Sequence, residues 1–139
     1  MIVYAESSAV LAWIFREPGT DAVRLTLAEA TMVVTSRLTV VECARAIDRA
    51  GRERRIPAEA ALAAHRLLDE AADTWVVMDL VGDLVHRAAR PFPKEPLRTL
   101  DAFHLASALI FDQALGSLRV LTRDDRVREN AAALGLAVA

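Results

Sequence analysis

Short apolar runs alternate along the chain with longer segments of helical periodicity. The runs are rich in valine, isoleucine and leucine and are bounded by polar residues, which is typical of buried strands. They predict strands at 2–5, 32–35, 75–78 and 118–122, with a last edge strand at 136–138. Strands that alternate with helices predict a parallel sheet covered on both faces.

The segments between these strands show the three- and four-residue spacing of helices. They predict helices at 9–15, 21–30, 38–50, 58–72, 83–90, 98–110 and 126–134. Gly51 and Pro57 lie between the third and fourth of them, so we expect these two helices to form a hairpin. The predicted fold class is α/β, a three-layer α/β/α sandwich with a parallel sheet of four to five strands in a single domain, 1–139.

Composition narrows the class of protein. The 139 residues are 54% hydrophobic and 26% charged, which is typical of a folded domain and not of a disordered chain. No apolar run approaches the roughly 18 residues of a membrane span, and no basic leader follows Met1, so we expect a cytoplasmic protein. Cys43 is the only cysteine, which excludes an intrachain disulfide and cysteine-based metal sites.

The net charge of −2 argues against a protein that simply coats nucleic acid. Four arginines nevertheless fall in one short stretch, at Arg49, Arg52, Arg54 and Arg55. The arginine fork suits phosphate oxygens, so this stretch is a candidate RNA-facing edge. The alternative is that it is a solvated helix end.

A lone carboxylate, Asp101, lies in the predicted helix 98–110, which is apolar around most of its circumference. Burying an ionised aspartate is costly unless a helix N-terminus, an arginine or a metal ion compensates its charge. Thr99 would make a good N-cap, which would place Asp101 in the first turn of the helix. The sequence leaves the structural and the metal-binding roles open.

For three further acids the sequence likewise leaves a structural and a metal-binding role open. Glu6 follows the first strand, and Asp124 follows the fourth, at the strand ends where parallel α/β sheets bind ligands. Either acid would also serve as a cap for the next helix, as would Asp125. Glu42 lies in an apolar neighbourhood, although Thr39 three residues earlier would fit a capping box.

Together these four acids predict more than each does alone. Glu6, Glu42, Asp101 and Asp124 would repel one another if they converged, and divalent cations would stabilise such a cluster. Ligation by oxygen alone favours Mg²⁺ or Mn²⁺ over zinc.

Four motifs follow one another in an order and spacing that resemble the PIN-domain ribonucleases, and more closely the VapC toxins of bacterial VapBC toxin–antitoxin pairs. The resemblance spans nearly the whole chain and ends on an Ala-Leu-Gly-Leu segment. The motifs are Ile2-Val3-Tyr4-Ala5-Glu6-Ser7-Ser8-Ala9, Leu38-Thr39-Val40-Val41-Glu42, Arg98-Thr99-Leu100-Asp101-Ala102-Phe103-His104-Leu105-Ala106 and Leu121-Thr122-Arg123-Asp124.

The resemblance implies a metal-dependent endoribonuclease that acts as a toxin. It implies Mg²⁺ or Mn²⁺ as cofactor, RNA as substrate, a VapB-like antitoxin as partner and a homodimer formed through the hairpin 38–72. The matching acids are Glu6, Glu42, Asp101 and Asp124, with Ser8 and Thr122 at the hydroxyl positions beside them. The family usually opens with aspartate where this chain has Glu6, and this difference bears on metal affinity because Mg²⁺ demands regular geometry.

Two other functions remain as alternatives. A noncatalytic interaction module could keep the PIN fold without binding metal. A receiver-type phosphoacceptor domain needs a lysine late in the chain, whereas the only lysine, Lys94, lies in a proline-rich loop. His65, His86 and His104 lie on separate predicted helices without ligand spacing, although His104 is one turn from Asp101 and is a candidate to orient it.

Overall fold

The computed structural model describes residues 1–139 and contains one sheet of five strands. The apolar runs form the strands because their side chains are covered on both faces of the sheet. The strands are β1 (Ile2–Ala5), β2 (Met32–Ser36), β3 (Val76–Met78), β4 (Leu118–Leu121) and β5 (Ala137–Val138).

All neighbouring strands are parallel, in the order β3-β2-β1-β4-β5. Tyr4 in the central strand is paired with Val34 on one side and with Val120 on the other. The chain adds β2 and β3 on one side of β1 and then crosses to add β4 and β5 on the other. The strand order therefore reverses between β1 and β4, and parallel sheets bind ligands at the carboxyl ends of the strands at such a point.

Seven helices cover the two faces of the sheet. They are α1 (Ser7–Phe15), α2 (Asp21–Glu29), α3 (Arg37–Arg52), α4 (Ala58–Thr74), α5 (Gly82–Ala88), α6 (Thr99–Leu115) and α7 (Asp125–Ala133). Successive side chains of a strand point to opposite faces. Tyr4 accordingly packs in a core cluster with Leu105 of α6 and Val127 of α7, whereas Ala5 packs in a second cluster with Val10 of α1 and Ile47 of α3. The predicted three-layer α/β/α class is confirmed.

Two predicted helix caps are wrong. Ser36, not Thr39, caps α3, because the Ser36 hydroxyl accepts a hydrogen bond of 3.2 Å from the Leu38 N–H. The capping box with Glu42 does not form, and Thr39 is fully buried. Helix α6 begins at Thr99 itself, with Arg98 at the N-cap position and no side-chain cap bond.

Smaller differences concern element ends. Helix α3 continues through Gly51 and ends at Arg52, and the arginines at and just after this end, Arg49, Arg52, Arg54 and Arg55, are exposed. Helix α6 is buried over most of its surface, as its apolar composition indicates, whereas Leu100 near its start is 45% exposed. None of the helices combines the length and the apolar character that a membrane-spanning segment requires.

Candidate active site

A cleft of about 320 Å³ opens at the carboxyl ends of β1 and β4. It is lined by the start of α1, by Glu42 of α3, by the start of α6 and by the segment after β4. The lining includes all four acids predicted from the sequence, namely Glu6, Glu42, Asp101 and Asp124. The fold therefore brings together four carboxylates that are spread over nearly the whole chain.

Glu6 is the N-cap of α1 and is only 3% exposed. Its Oε1 accepts hydrogen bonds from the Ser7 hydroxyl at 2.6 Å and from the Ser8 N–H at 3.1 Å. Its Oε2 accepts from the Ser8 hydroxyl and, at 2.7 Å, from the Thr122 hydroxyl. Glu6 is thus both a helix cap and a wall of the cleft, and neutral donors stabilise its buried charge.

The two predicted hydroxyl positions also join β4 to α1. The Ser8 hydroxyl accepts a hydrogen bond of 2.8 Å from the Arg123 N–H, and the Thr122 hydroxyl accepts one of 3.1 Å from the Asp124 N–H. Each hydroxyl donates to Glu6 as well. Ser8 and Thr122 therefore fix the position of Glu6 relative to the segment that carries Asp124.

Glu42 is held by a hydrogen-bonded chain that starts in the core. The Tyr4 hydroxyl lies 3.0 Å from Nδ1 of His104, and Nε2 of His104 lies 2.6 Å from Oε1 of Glu42. Glu42 Oε2 also accepts from the Ser7 hydroxyl at 3.2 Å. His104 thus orients Glu42 and not Asp101, which corrects the sequence-based interpretation of this histidine.

Burial and nearby charges shift the pKa values of His104 and Tyr4 in this hydrogen-bonded chain. Burial lowers the pKa of His104, but the hydrogen bond to Glu42 and the charges of Glu6, Glu42 and Asp101 outweigh it, so the pKa is raised. Burial raises the pKa of Tyr4 well above its ordinary value, and the charges of Glu6 and Glu42 add to this effect. A protonated His104 is thereby favoured beside the acids, while Tyr4 stays neutral.

Asp101 and Asp124 share one arginine. Asp101 lies in the first turn of α6, and Nε and Nη2 of Arg98 bind its two oxygens at 2.7 and 3.3 Å. The same Nη2 donates to Oδ2 of Asp124 at 2.7 Å. The hydrogen bond to Asp101, with the charge of that residue, raises the pKa of Arg98. A single guanidinium group therefore pairs with both acids at the mouth of the cleft and offsets part of their charge.

Asp124 is also a helix cap, whereas its neighbour is outside the site. Oδ1 of Asp124 accepts from the Arg126 N–H at 2.9 Å, which confirms the predicted capping of α7. Asp125 is exposed and does not line the cleft. Asp124 therefore belongs to the candidate site, and Asp125 does not.

The donor set is suited to a hard divalent cation, because every acidic donor is a carboxylate oxygen and hydroxyl oxygens lie beside them. As the side chains stand, no group of three or more His, Cys, Asp or Glu is arranged to hold a metal ion. Glu6 is occupied by hydroxyl donors, Glu42 by His104, and the two aspartates by Arg98. The oxygens thus fit such an ion in chemistry, and binding it requires these side chains to exchange partners.

The sequence model of the PIN domain family matches residues 3–133 of this chain. The chain belongs to the PIN domain family. Within this family it is 40% identical over 136 residues to ribonuclease VapC46 of Mycobacterium tuberculosis, which covers 98% of this chain and 95% of that protein. It is 34% identical over 139 residues to ribonuclease VapC35 of the same species, over 99% of this chain and 95% of that protein.

The PIN fold is also found by comparison with solved structures. A toxin–antitoxin complex from Klebsiella pneumoniae matches with a TM-score of 0.66 and 16% identity, over 99% of this chain and 95% of the matched chain. At that identity the likeness concerns the fold. Together these relationships confirm the resemblance to PIN-domain VapC proteins and argue against the receiver-type alternative.

Sequence reasoning did not single out Arg98 or Tyr4 as residues of this PIN site, and it paired His104 with Asp101 and not with Glu42. Arg98 precedes Asp101 by three residues, a spacing that brings side chains together at a helix start, so this pair had a detectable signal. The contacts of His104 with Tyr4 and with Glu42 had no detectable signal in the sequence, because they join residues far apart in the chain.

Proposed function

We propose that this PIN-domain protein is an endoribonuclease that depends on Mg²⁺ or Mn²⁺ and acts as the toxin of a toxin–antitoxin pair. The observation that carries the proposal is the convergence of Glu6, Glu42, Asp101 and Asp124 on one cleft at the point where the strand order reverses. The 40% identity with a protein named ribonuclease VapC46 supports RNA as the substrate.

In this proposal Glu6, Asp101 and Asp124 hold the metal, with Glu42 binding directly or through water. A bound metal of this kind lowers the pKa of a water molecule and stabilises charge on the phosphate. The chain's own part is to position these groups. The hydroxyls of Ser8 and Thr122 fix Glu6, and His104 fixes Glu42.

The start of α6 supplies a second feature suited to a phosphodiester. Arg98, Thr99 and Leu100 line the cleft at the N-terminus of this 17-residue helix. The first backbone N–H groups of a helix lack intrahelical partners, and the helix dipole favours an anion there. This end of α6 therefore favours a phosphate group next to the acids.

The decisive assay is cleavage of structured RNA by the purified, partner-free protein in Mg²⁺, Mn²⁺ or EDTA. We expect cleavage with either metal and none in EDTA. Asp101→Asn should be inactive, and the matched control Asp125→Asn should cleave normally, because Asp125 is exposed and outside the cleft. Cleavage in EDTA, or no cleavage under any condition, would refute the proposal, and the second result would favour the noncatalytic interaction module.

We propose an antitoxin as the protein partner, since a solved structural neighbour is a toxin–antitoxin complex. An apolar groove of about 470 Å³ lies between the end of α1 and α4 and supports this proposal, with Ile14, Phe15 and Leu67 in its lining. The cognate antitoxin should inhibit cleavage. Ala63→Arg, which changes the groove lining, should weaken that inhibition and leave cleavage by the free protein unchanged.

We also propose a homodimer through the hairpin of α3 and α4, as the family resemblance implies. Val41 on α3 is 47% exposed and Leu62 on α4 is 54% exposed, so this hairpin presents apolar side chains to a partner. Light scattering should show a dimer for the wild type and a monomer for Leu62→Glu. Leu25→Glu on α2 is the matched control, since Leu25 is 50% exposed outside the hairpin.

A further inference from the structure

One arginine pairs with two of the acids that the proposed function needs for its metal. All four oxygens of the aspartates are engaged: both of Asp101 and Oδ2 of Asp124 accept from Arg98, and Oδ1 of Asp124 caps α7. A guanidinium group that lies against these oxygens disfavours the approach of a cation, because like charges repel. A metal that uses both aspartates therefore competes with Arg98 for them.

The three side chains differ in exposure in a way that permits this exchange. The side chain of Arg98 is 62% exposed, whereas those of Asp101 and Asp124 are 8% and 24% exposed. The acids stay in place because α6 and α7 position them. The exposed arginine is the mobile partner, and ion pairs made by exposed side chains are weak.

The displaced guanidinium stays near the cleft, because its backbone is fixed at the cleft wall. The backbone of Arg98 is the N-cap of α6, and its neighbours Thr99 and Leu100 also line the cleft. Its planar fork matches two oxygens of a phosphate as well as it matches a carboxylate. Once its acids are bound to a metal, the anion available to this arginine is a phosphate of the RNA.

We propose that Arg98 exchanges partners during the reaction: it binds Asp101 and Asp124 in the metal-free protein, and it binds the substrate phosphate when metal occupies the acids. The inference rests on the proposed function, because it needs both a divalent ion and RNA at this cleft. In the metal-free protein, Arg98 is thus a built-in competitor of the metal.

The first test compares wild type and Arg98→Gln without RNA. Removing the arginine leaves Asp101 and Asp124 without a counter-ion, so the Tm in EDTA should fall by about 2–4 °C. Isothermal titration should show Mn²⁺ binding to the variant about three- to tenfold more tightly. A residue with a merely structural role would not produce this opposite pair of effects.

Matched variants separate the guanidinium fork from charge alone. Arg37→Gln removes an exposed arginine that pairs with Asp79 outside the cleft, and it should leave Mn²⁺ affinity unchanged. Arg98→Lys keeps the charge without the fork, so its Mn²⁺ affinity should lie between those of wild type and Arg98→Gln. If Arg98→Gln fails to fold, the lysine variant alone still tests the competition.

The second test measures RNA cleavage at saturating Mn²⁺. The competition is then absent, so both Arg98 variants should raise KM for RNA, by about tenfold for glutamine and less for lysine, with a smaller change in kcat. No Mn²⁺ binding by the wild type would refute the proposed function itself. Normal wild-type binding with unchanged or weaker affinity in the Arg98 variants, or an unchanged KM, would refute the exchange alone.

Discussion

The two halves of the cleft hold their acids by different means. Glu6 and Glu42 are held by hydroxyl groups and by His104, which is only 1% exposed and bound to the core through Tyr4. We call this the inner half. Asp101 and Asp124 form the outer half, and an arginine with a 62% exposed side chain links them.

This difference assigns separate roles to the two halves: the inner half positions its acids, and the acids of the outer half exchange partners. Hydrogen bonds that join Glu6 and the part-buried Glu42 to buried partners fix the inner half as the protein folds, and breaking them leaves buried polar atoms without partners. The outer half depends on an ion pair at the surface, which solvent and salt weaken. The inner half therefore sets the geometry of the site, and under the proposed function the outer half is where a metal and RNA would enter.

The largest effects on cleavage are expected for Asp101→Asn in the outer half and for Glu6→Gln in the inner half. Asp101→Asn keeps the shape of the side chain but removes the charge that attracts both Arg98 and a cation. RNA cleavage should fall by at least about 100-fold, more than the loss of a supporting residue in a metal site. The Tm in EDTA should change little, because removing a buried carboxylate charge among like charges offsets the loss of its ion pair with Arg98.

In the inner half, Glu6→Gln should affect both function and stability. The amide would present N–H donors to hydroxyl groups that now donate to Glu6, so the free energy of unfolding should fall by about 1–3 kcal/mol. Chemical denaturation measures this loss, and cleavage assays should show that activity is abolished. Glu6→Asp keeps the charge and should retain measurable activity, with an altered preference between Mg²⁺ and Mn²⁺.

A smaller effect is expected for the residue that orients Glu42. His104→Phe removes both hydrogen bonds of the imidazole and should lower kcat by about 10- to 100-fold, the usual range for residues that support metal ligands. His104→Gln keeps one donor toward Glu42 and should recover part of the rate. His65→Gln is the control, because His65 pairs with Asp48 away from the cleft. Equal rates for His104→Phe and His65→Gln would contradict the positioning role.

The smallest effect is expected at Tyr4, the innermost residue of the hydrogen-bonded chain that leads through His104 to Glu42. Tyr4→Phe removes a hydroxyl that contacts His104 at 3.0 Å and leaves the ring in the core. The free energy of unfolding should fall by about 0.5–1.5 kcal/mol, the usual value of one hydrogen bond. Cleavage should fall by only a few fold, and a loss as large as that of His104→Phe would mean that Tyr4 does more than support the histidine.

The sequence predicts the fold well, because apolar runs such as 2–5 and 118–122 are separated by segments with a strong helical pattern. It also predicts which acids lie at strand ends, since Glu6 and Asp124 directly follow strands. It does not predict which helix cap forms when two candidates are close: Ser36 outcompetes Thr39 at α3.

The bonds within the site are less accessible to sequence reasoning. The pairing of His104 with Glu42 depends on how α6 packs against α3, and no local pattern encodes that contact. The link from Arg98 to Asp124 spans two helix starts that meet only in the folded sheet. Local signals thus identify the acids, while the partners that hold them follow from tertiary packing.

The most direct test of the account is isothermal titration of Mn²⁺ into the wild type, Glu6→Gln, Asp101→Asn and Asp125→Asn. The account predicts binding to the wild type and to Asp125→Asn with the same affinity, and loss of binding in the other two variants, one from each half of the cleft. Undiminished binding by both Glu6→Gln and Asp101→Asn would contradict a metal site formed by these acids.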